Sequence, residues 1–251
     1  MAKAKGIMKI DGTVEDLTFY RMDGKNYVRT KGGISRERIM KDSNFARTRE
    51  NMMEFAENAH GSKMLRMAVG SMSFRAKDSR LSSRLTGIMS RIKNFDSNSA
   101  RGERLVSRGI RTEAGRQVLK GFDFNMHSSL NYVLHAPYVL DVNTGKITIE
   151  SLVTEEQILY PQGATNVSFQ SAVVDMDFET GNSVIAYSEV VDLPIRMGAS
   201  DVALTPTSLP AGLGVQLFLL LITFSQEING VLYPLKNEEF NVLQIIDVVA
   251  P

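Results

Sequence analysis

At Gly121 the hydrophobic period of this chain changes, and that change restricts the fold more than any other feature. From Ser35 to about Lys120 apolar residues return every third or fourth position, as on one face of a helix. Leu81, Leu85, Ile88, Ile92 and Phe95 make the cleanest stripe, with Asp78 as a candidate cap. Phe45, Met52, Phe55, Ala56 and Ala59 share a face of a second helix that Asp42 or Ser43 can cap. Gly61-Ser62 is expected to divide that stretch, and a last short helix is expected from Thr112 to Lys120, ending at Gly121. After Gly121 the period becomes two, as in Phe122, Phe124 and Met126. Turn signals then separate apolar runs at Asn143-Thr144-Gly145-Lys146, Thr180-Gly181-Asn182 and, most strongly, Asn229-Gly230. Seven to nine strands over about 130 residues suit an antiparallel β-sandwich. Arg196 to Gly214 reads as a long loop.

Upstream of the helices, Leu17, Phe19, Tyr20, Tyr27 and Val28 surround the turn-forming Met22-Asp23-Gly24-Lys25, the pattern of a β-hairpin that ends at Gly32-Gly33. A lone hairpin is marginal in water, so this one should lean on another domain or subunit. Phe19, Tyr20, Tyr27 and Val28 are its candidate docking residues. The expected fold is therefore α+β: an N-terminal arm and hairpin (1–33), an Arg-rich helical block (34–120) and an acidic antiparallel β-sandwich (121–251).

The charge follows the same division. Residues 1–120 hold 26 Lys and Arg against 13 Asp and Glu, and residues 121–251 hold 3 against 15, so +13 and −12 hide inside a total of +1. Arg75, Arg80, Arg84, Arg91, Arg101, Arg104 and Arg108 form the candidate basic side, with Lys77, Lys93, Arg111 and Arg116 among them. Arg80, Arg84 and Arg91 fall along one side of a helix. Arg over Lys favours bidentate contacts to carboxylate or phosphate. Three partners compete for these groups: carboxylates of another copy, carboxylates of the same chain, and nucleic-acid phosphates. The candidate acidic side is Asp175, Asp177, Glu179, Glu189 and Glu238. Head-to-tail contact between unlike surfaces makes rings or open filaments. The leading expectation is thus a non-enzymatic structural subunit that self-assembles into a filament, tube or shell. The alternative is a nucleic-acid-binding or packaging protein that uses the Arg-rich block.

Chemistry has little foothold. There is no Cys, hence no disulfide framework and no thiolate ligand. His60, His127 and His135 are scattered without metal-ligand spacing. Asp175, Asp177 and Glu179 alternate as on one strand face, where Asn182 can help them hold a hard cation, but charged residues on the wet face of a sandwich are ordinary. Gly212-Leu213-Gly214 is too short for a nucleotide-binding loop, and no phosphate-binding loop or nucleophile elbow occurs. No catalytic residue, cofactor or metal is expected. A sugar-binding sandwich needs an aromatic platform, and Tyr132, Tyr138, Tyr160 and Tyr187 are too dispersed for one. Val215 to Phe224, the longest apolar run, is about half of the ~20 residues a membrane helix needs, so it reads as a buried strand, with no membrane span. Lys3, Lys5 and Lys9 precede no apolar region, so a secretory signal is not expected. The expected location is the cytoplasm, or an assembly released without such a signal.

Several motifs together carry a resemblance. Gly12-Thr13 through Tyr20, Gly24-Lys25-Asn26-Tyr27-Val28-Arg29-Thr30-Lys31-Gly32-Gly33, Phe45-Ala46-Arg47-Thr48-Arg49-Glu50-Asn51, Pro161-Gln162-Gly163-Ala164-Thr165 and Gln226-Glu227-Ile228-Asn229-Gly230-Val231-Leu232-Tyr233-Pro234-Leu235-Lys236-Asn237 resemble a family common in Bacteroidota genomes. The likeness spans nearly the whole chain and departs at Met52 and Met53. It implies a bacterial source; the family has no assigned activity, so no catalytic residue follows from it.

Overall fold

The computed structural model describes residues 2–3, 12–30, 32–235 and 240–250. Glu238, one of the expected acidic residues, lies outside them. The chain divides into two units, residues 1–49 and 50–251.

The first unit is built on a four-stranded antiparallel sheet in the order β1-β4-β3-β2, from β1 (Ala2–Lys3), β2 (Gly12–Val14), β3 (Leu17–Met22) and β4 (Lys25–Thr30). Asp23 and Gly24 close the expected hairpin with φ of 50° and 74°, the left-handed pair a two-residue turn demands. Two further strands flank it, both too short to leave a period in the sequence. Pairing puts Val14, Leu17, Phe19 and Val28 on one face, and Thr18, Tyr20 and Tyr27 on the other. Helix α1 (Arg36–Lys41) follows, capped by Ser35, whose Oγ accepts from the Arg38 amide at 3.2 Å. Arg49 donates to the carbonyls of Ile39 and Asp42 at 2.7 and 2.8 Å.

Helix α2 (Ala46–Val69), within which the division falls, runs on through Gly61 and Ser62, where a break was expected. It is followed by α3 (Ser71–Arg75), α4 (Leu81–Ile92), α5 (Val106–Gly109), α6 (Glu113–Leu119) and α7 (Leu130–Val133). The strands are β5 (Val139–Asp141), β6 (Lys146–Leu152), β7 (Asn166–Met176), β8 (Ser183–Tyr187), β9 (Val191–Pro194), β10 (Ser200–Leu204), β11 (Val215–Ile228), β12 (Val231–Pro234) and β13 (Val242–Val249). A short α8 (Thr154–Gln157) lies between β6 and β7. The large sheet runs β12-β11-β7-β8, with β13 also on β11 and β9 also on β7; the small sheet runs β10-β6-β5. Every pairing is antiparallel. The protein is therefore α+β, with a helical block followed by an antiparallel sandwich.

Layering explains the burial pattern. One face of the large sheet, with Ala172, Val174, Leu217, Leu219 and Leu221, packs on Leu65, Val69, Leu85, Met89 and Ile92 of the helices. The other, with Phe169, Val173, Phe218, Leu220 and Ile222, packs on Ile147 and Ile149 of β6 and on Val202 and Leu204 of β10. Covered on both faces, β7 and β11 are buried along most of their length rather than alternately, and β11 is apolar nearly throughout from Leu217 to Phe224. The run from Val215 is thus a buried strand. Strand β10 lies inside the stretch expected to be loop. Phe122 and Phe124 belong to no strand; their segment runs beside β13, with the Gly121 and Phe124 amides donating to Ile245 and Leu243 carbonyls at 2.7 and 2.8 Å.

Two helices show how tertiary context overrides a stripe. On α4, Leu81, Leu85 and Ile92 of the expected stripe are buried and Ile88 is partly buried against the core, but Met89 joins them from outside the stripe and Phe95, just past the helix, is exposed. Asp78 does not cap it: one carboxylate oxygen accepts from the Arg80 amide, and the other takes Arg84 and the Met126 amide. On α2 the orientation is inverted. Met52, Met53, Phe55 and Ala56 face outward, while Glu54, Asn58, Gly61 and Ser62 are buried.

Candidate interaction surfaces

The inversion of α2 has a chemical cause. Glu54 accepts hydrogen bonds from Lys93 Nζ, from Arg104 Nε at 2.8 Å and Nη2 at 3.1 Å, and from the Gly102 amide at 2.9 Å. Burial raises the Glu54 pKa, yet the donors from Arg104, Lys93 and Gly102 outweigh it and bring it down to about 2. Four donors around one buried carboxylate tie α2 to the turn after α4 and to the loop before α5.

The same neutralisation reaches much of the expected basic side. Arg84 pairs with Asp78 and also donates to the carbonyls of Asp123 and Phe124, both at 2.8 Å, with its guanidinium 5.0 Å from the Phe122 ring centroid. Burial raises the Asp78 pKa, but the Met126 amide, Arg84 and the Arg80 amide together hold it below the usual carboxylate value. Arg101 pairs with Glu50 at 3.5 Å, and Arg111 reaches Glu179 at 3.1 Å. Lys120 reaches Asp247 at 3.0 Å. Arg75 donates to Gln170 and Thr223 on the large sheet, each at 3.1 Å, and Arg108 donates to Ser99 at 2.7 Å. Arg80 and Arg91 are exposed. Arg80, Arg84 and Arg91 therefore do not form one free basic side: Arg84 is turned inward.

The acidic side is corrected too. Asp175 is buried, with Oδ1 accepting from the Gly214 amide at 3.3 Å, so it offers nothing to a partner's surface. Strand β7 ends at Met176 because Asp177 makes its own turn, accepting from the Glu179 amide at 2.9 Å and from Thr180 Oγ1 at 2.7 Å. Asp175, Asp177 and Glu179 accordingly do not share a strand face. Glu189 is exposed. Among the described residues no group of three or more His, Asp or Glu is placed to hold a metal ion. Nor is any helix among them long and apolar enough to cross a membrane.

Of the docking residues, Phe19 and Val28 are direct partners on one face of the first sheet. Tyr20 and Tyr27 stack on the other with ring centroids 5.7 Å apart, and the Arg29 guanidinium lies 5.4 Å from the Tyr20 centroid. No described residue between 12 and 49 is buried. Further exposed apolar side chains occur on α2 and α3, where Phe55 and Phe74 are 64% and 72% exposed, and at the β11–β12 hairpin, with Ile228, Val231, Leu232 and Tyr233.

Two basic residues absent from the expected set, Lys63 and Arg66, line a cleft with Lys77. The i, i+3 spacing of Lys63 and Arg66 on α2 was readable; the company of Lys77, beyond the next helix, was not. No protein-family model, curated protein or solved structure matches this chain.

Proposed function

We propose that the protein is a non-enzymatic structural subunit that associates with copies of itself, head to tail, into a filament, tube or shell, with the sheet of its first unit as the docking element. The observation that carries this reading is a sheet with no buried residue among those described from 12 to 30. Val14, Leu17, Phe19 and Val28 share a face, and full burial of side chains of that size contributes about 1.5–3 kcal/mol each. An apolar face left in water is a surface that a partner's cover would stabilise.

Charge favours another copy as the cover. Residues 1–49 hold 12 Lys and Arg against 6 Asp and Glu, and residues 50–251 hold 17 against 22, so the units carry +6 and −5. With Arg84, Arg101, Arg104 and Arg111 already facing carboxylates of their own unit, the basic partner in this scheme is the first unit rather than the helical block. Unlike surfaces on one chain join head to tail, which does not close by itself.

Light scattering behind size exclusion tests the idea on the full chain. Mass should rise with concentration and fall with added salt, and Leu17→Glu with Phe19→Glu should leave a monomer whose β-rich circular dichroism is unchanged. A monomeric wild type at high concentration and low salt refutes the reading, as does undiminished assembly of the double variant.

A further inference from the structure

Lys63, Arg66 and Lys77 make no ion pair among the described residues, and they line one cleft of about 680 Å³ formed by the end of α2, by α3 and by the start of α4. Arg66 Nε is buried there without an acceptor. The lining carboxylate, Asp78, is already engaged by Arg84 and by two backbone amides. The cleft is thus cationic, with no carboxylate in its lining free to answer the three charges. Phe74 stands at its rim, 72% exposed, with Lys77 Nζ 4.5 Å from the ring centroid. The same ring also borders a second cleft of about 610 Å³, which contains Arg75. An exposed aromatic side chain therefore lies between two clefts: the first holds three cations, while in the second Arg75 is bonded to Gln170 and Thr223 and is accompanied by the carboxylate of Asp192.

A cationic cleft with an exposed ring at its rim suits a single strand of nucleic acid. Phosphates need cations, and an unpaired base needs a flat apolar ring beside them. A duplex keeps its bases stacked inside and has no use for the ring. A simple anion needs only the first cleft. We propose that this ridge binds single-stranded nucleic acid, with phosphates held by Lys63, Arg66 and Lys77 and a base stacked on Phe74. The site is distinct from the docking sheet, so it adds to the assembly reading without depending on it. It also replaces Arg80 and Arg84 as the place where nucleic acid is held.

Fluorescence anisotropy of a short labelled oligothymidylate with the full-length protein tests it. Binding should weaken with salt at a log–log slope of about −2, as expected for three phosphate contacts on a single strand. Phe74→Ala should weaken it by about tenfold, within the range for loss of one base stack. Arg66→Glu should weaken it by more than tenfold, whereas Arg196→Glu, the same charge change away from the cleft, should alter it less than about twofold. Unlabelled duplex and inorganic phosphate should compete poorly. The proposal is overturned by no binding at low salt, by equal effects of Arg66→Glu and Arg196→Glu, by a neutral Phe74→Ala, or by duplex or phosphate competing as well as the strand. Circular dichroism and light scattering on the same variants keep this outcome separate from loss of fold or of assembly.

Discussion

Replacing Glu54 by Gln removes the charge on which Lys93 and Arg104 converge while keeping the shape of the side chain. Lys93 is left buried, with only Asn94 Oδ1, at 3.1 Å, and the Gln carbonyl to receive its protons. Hydrogen bonds to a charged group contribute about 1.5–3 kcal/mol each, and stripping one partner from a buried ion pair costs about 3–5 kcal/mol. Because the Gln oxygen still accepts one or two of the four donors, the lower end applies, about 3 kcal/mol. With a urea m value of about 2–3 kcal/mol/M, the midpoint of unfolding should fall by about 1–1.5 M. Acid supplies the second half of the experiment. Glu54 titrates at about 2 in the folded chain against 4.5 ordinarily, so its contribution is complete above pH 4.5 and is lost as pH falls through 2. The gap between wild type and Glu54→Gln should therefore be widest near neutrality and shrink across that window. Lys93→Met should cost less than Glu54→Gln, because Arg104 remains on the carboxylate. A Glu54→Gln midpoint within about 0.2 M of wild type at pH 7, or a gap that ignores acid, would show that the cluster does not hold the helices as described.

Two further substitutions probe the packing around it. Arg84→Ala leaves Asp78, whose side chain is 1% exposed, with two amide donors and no counter-ion, and strips the Asp123 and Phe124 carbonyls of a donor; thermal unfolding should report a loss of about 3 kcal/mol. Alanine at Gly109 and at Gly87 should act in opposite directions in urea titrations. A methyl group at Gly109 meets the Ile92 backbone carbonyl well inside van der Waals contact and should cost 2 kcal/mol or more, roughly, whereas Gly87 has open space in mid-helix and should gain up to about 1 kcal/mol.

What could be read from the residues depended on how far away the cause lay. Asp23-Gly24 and Asn229-Gly230 were legible because a two-residue turn needs left-handed backbone at those positions and nothing else. Thr112 was legible as the start of α6, where its Oγ1 accepts from the Gly115 amide at 3.0 Å. The α4 stripe was legible because its core partners are ordinary apolar side chains. The orientation of α2 was not, since Arg104 lies fifty residues after Glu54 and no local pattern announces that they meet. Asp177 illustrates the converse: the period of two continued past Met176, but a side-chain turn ended the strand first. The charge division was legible as a sum and misleading as a surface. Arg84, Arg101, Arg104, Arg111 and Lys120 each find a carboxylate of their own unit.

Strand β11 spans fourteen residues, flanked by β7 from Val215 to Ser225 and, on its opposite edge, by β13 and then β12. Freeing any central portion of it means severing ladders to left and right at once while wetting both hydrophobic layers. Such a spine has no cheap partial opening, so residues 50–251 should come apart in a single step, with fraying confined to the tip beyond Ser225.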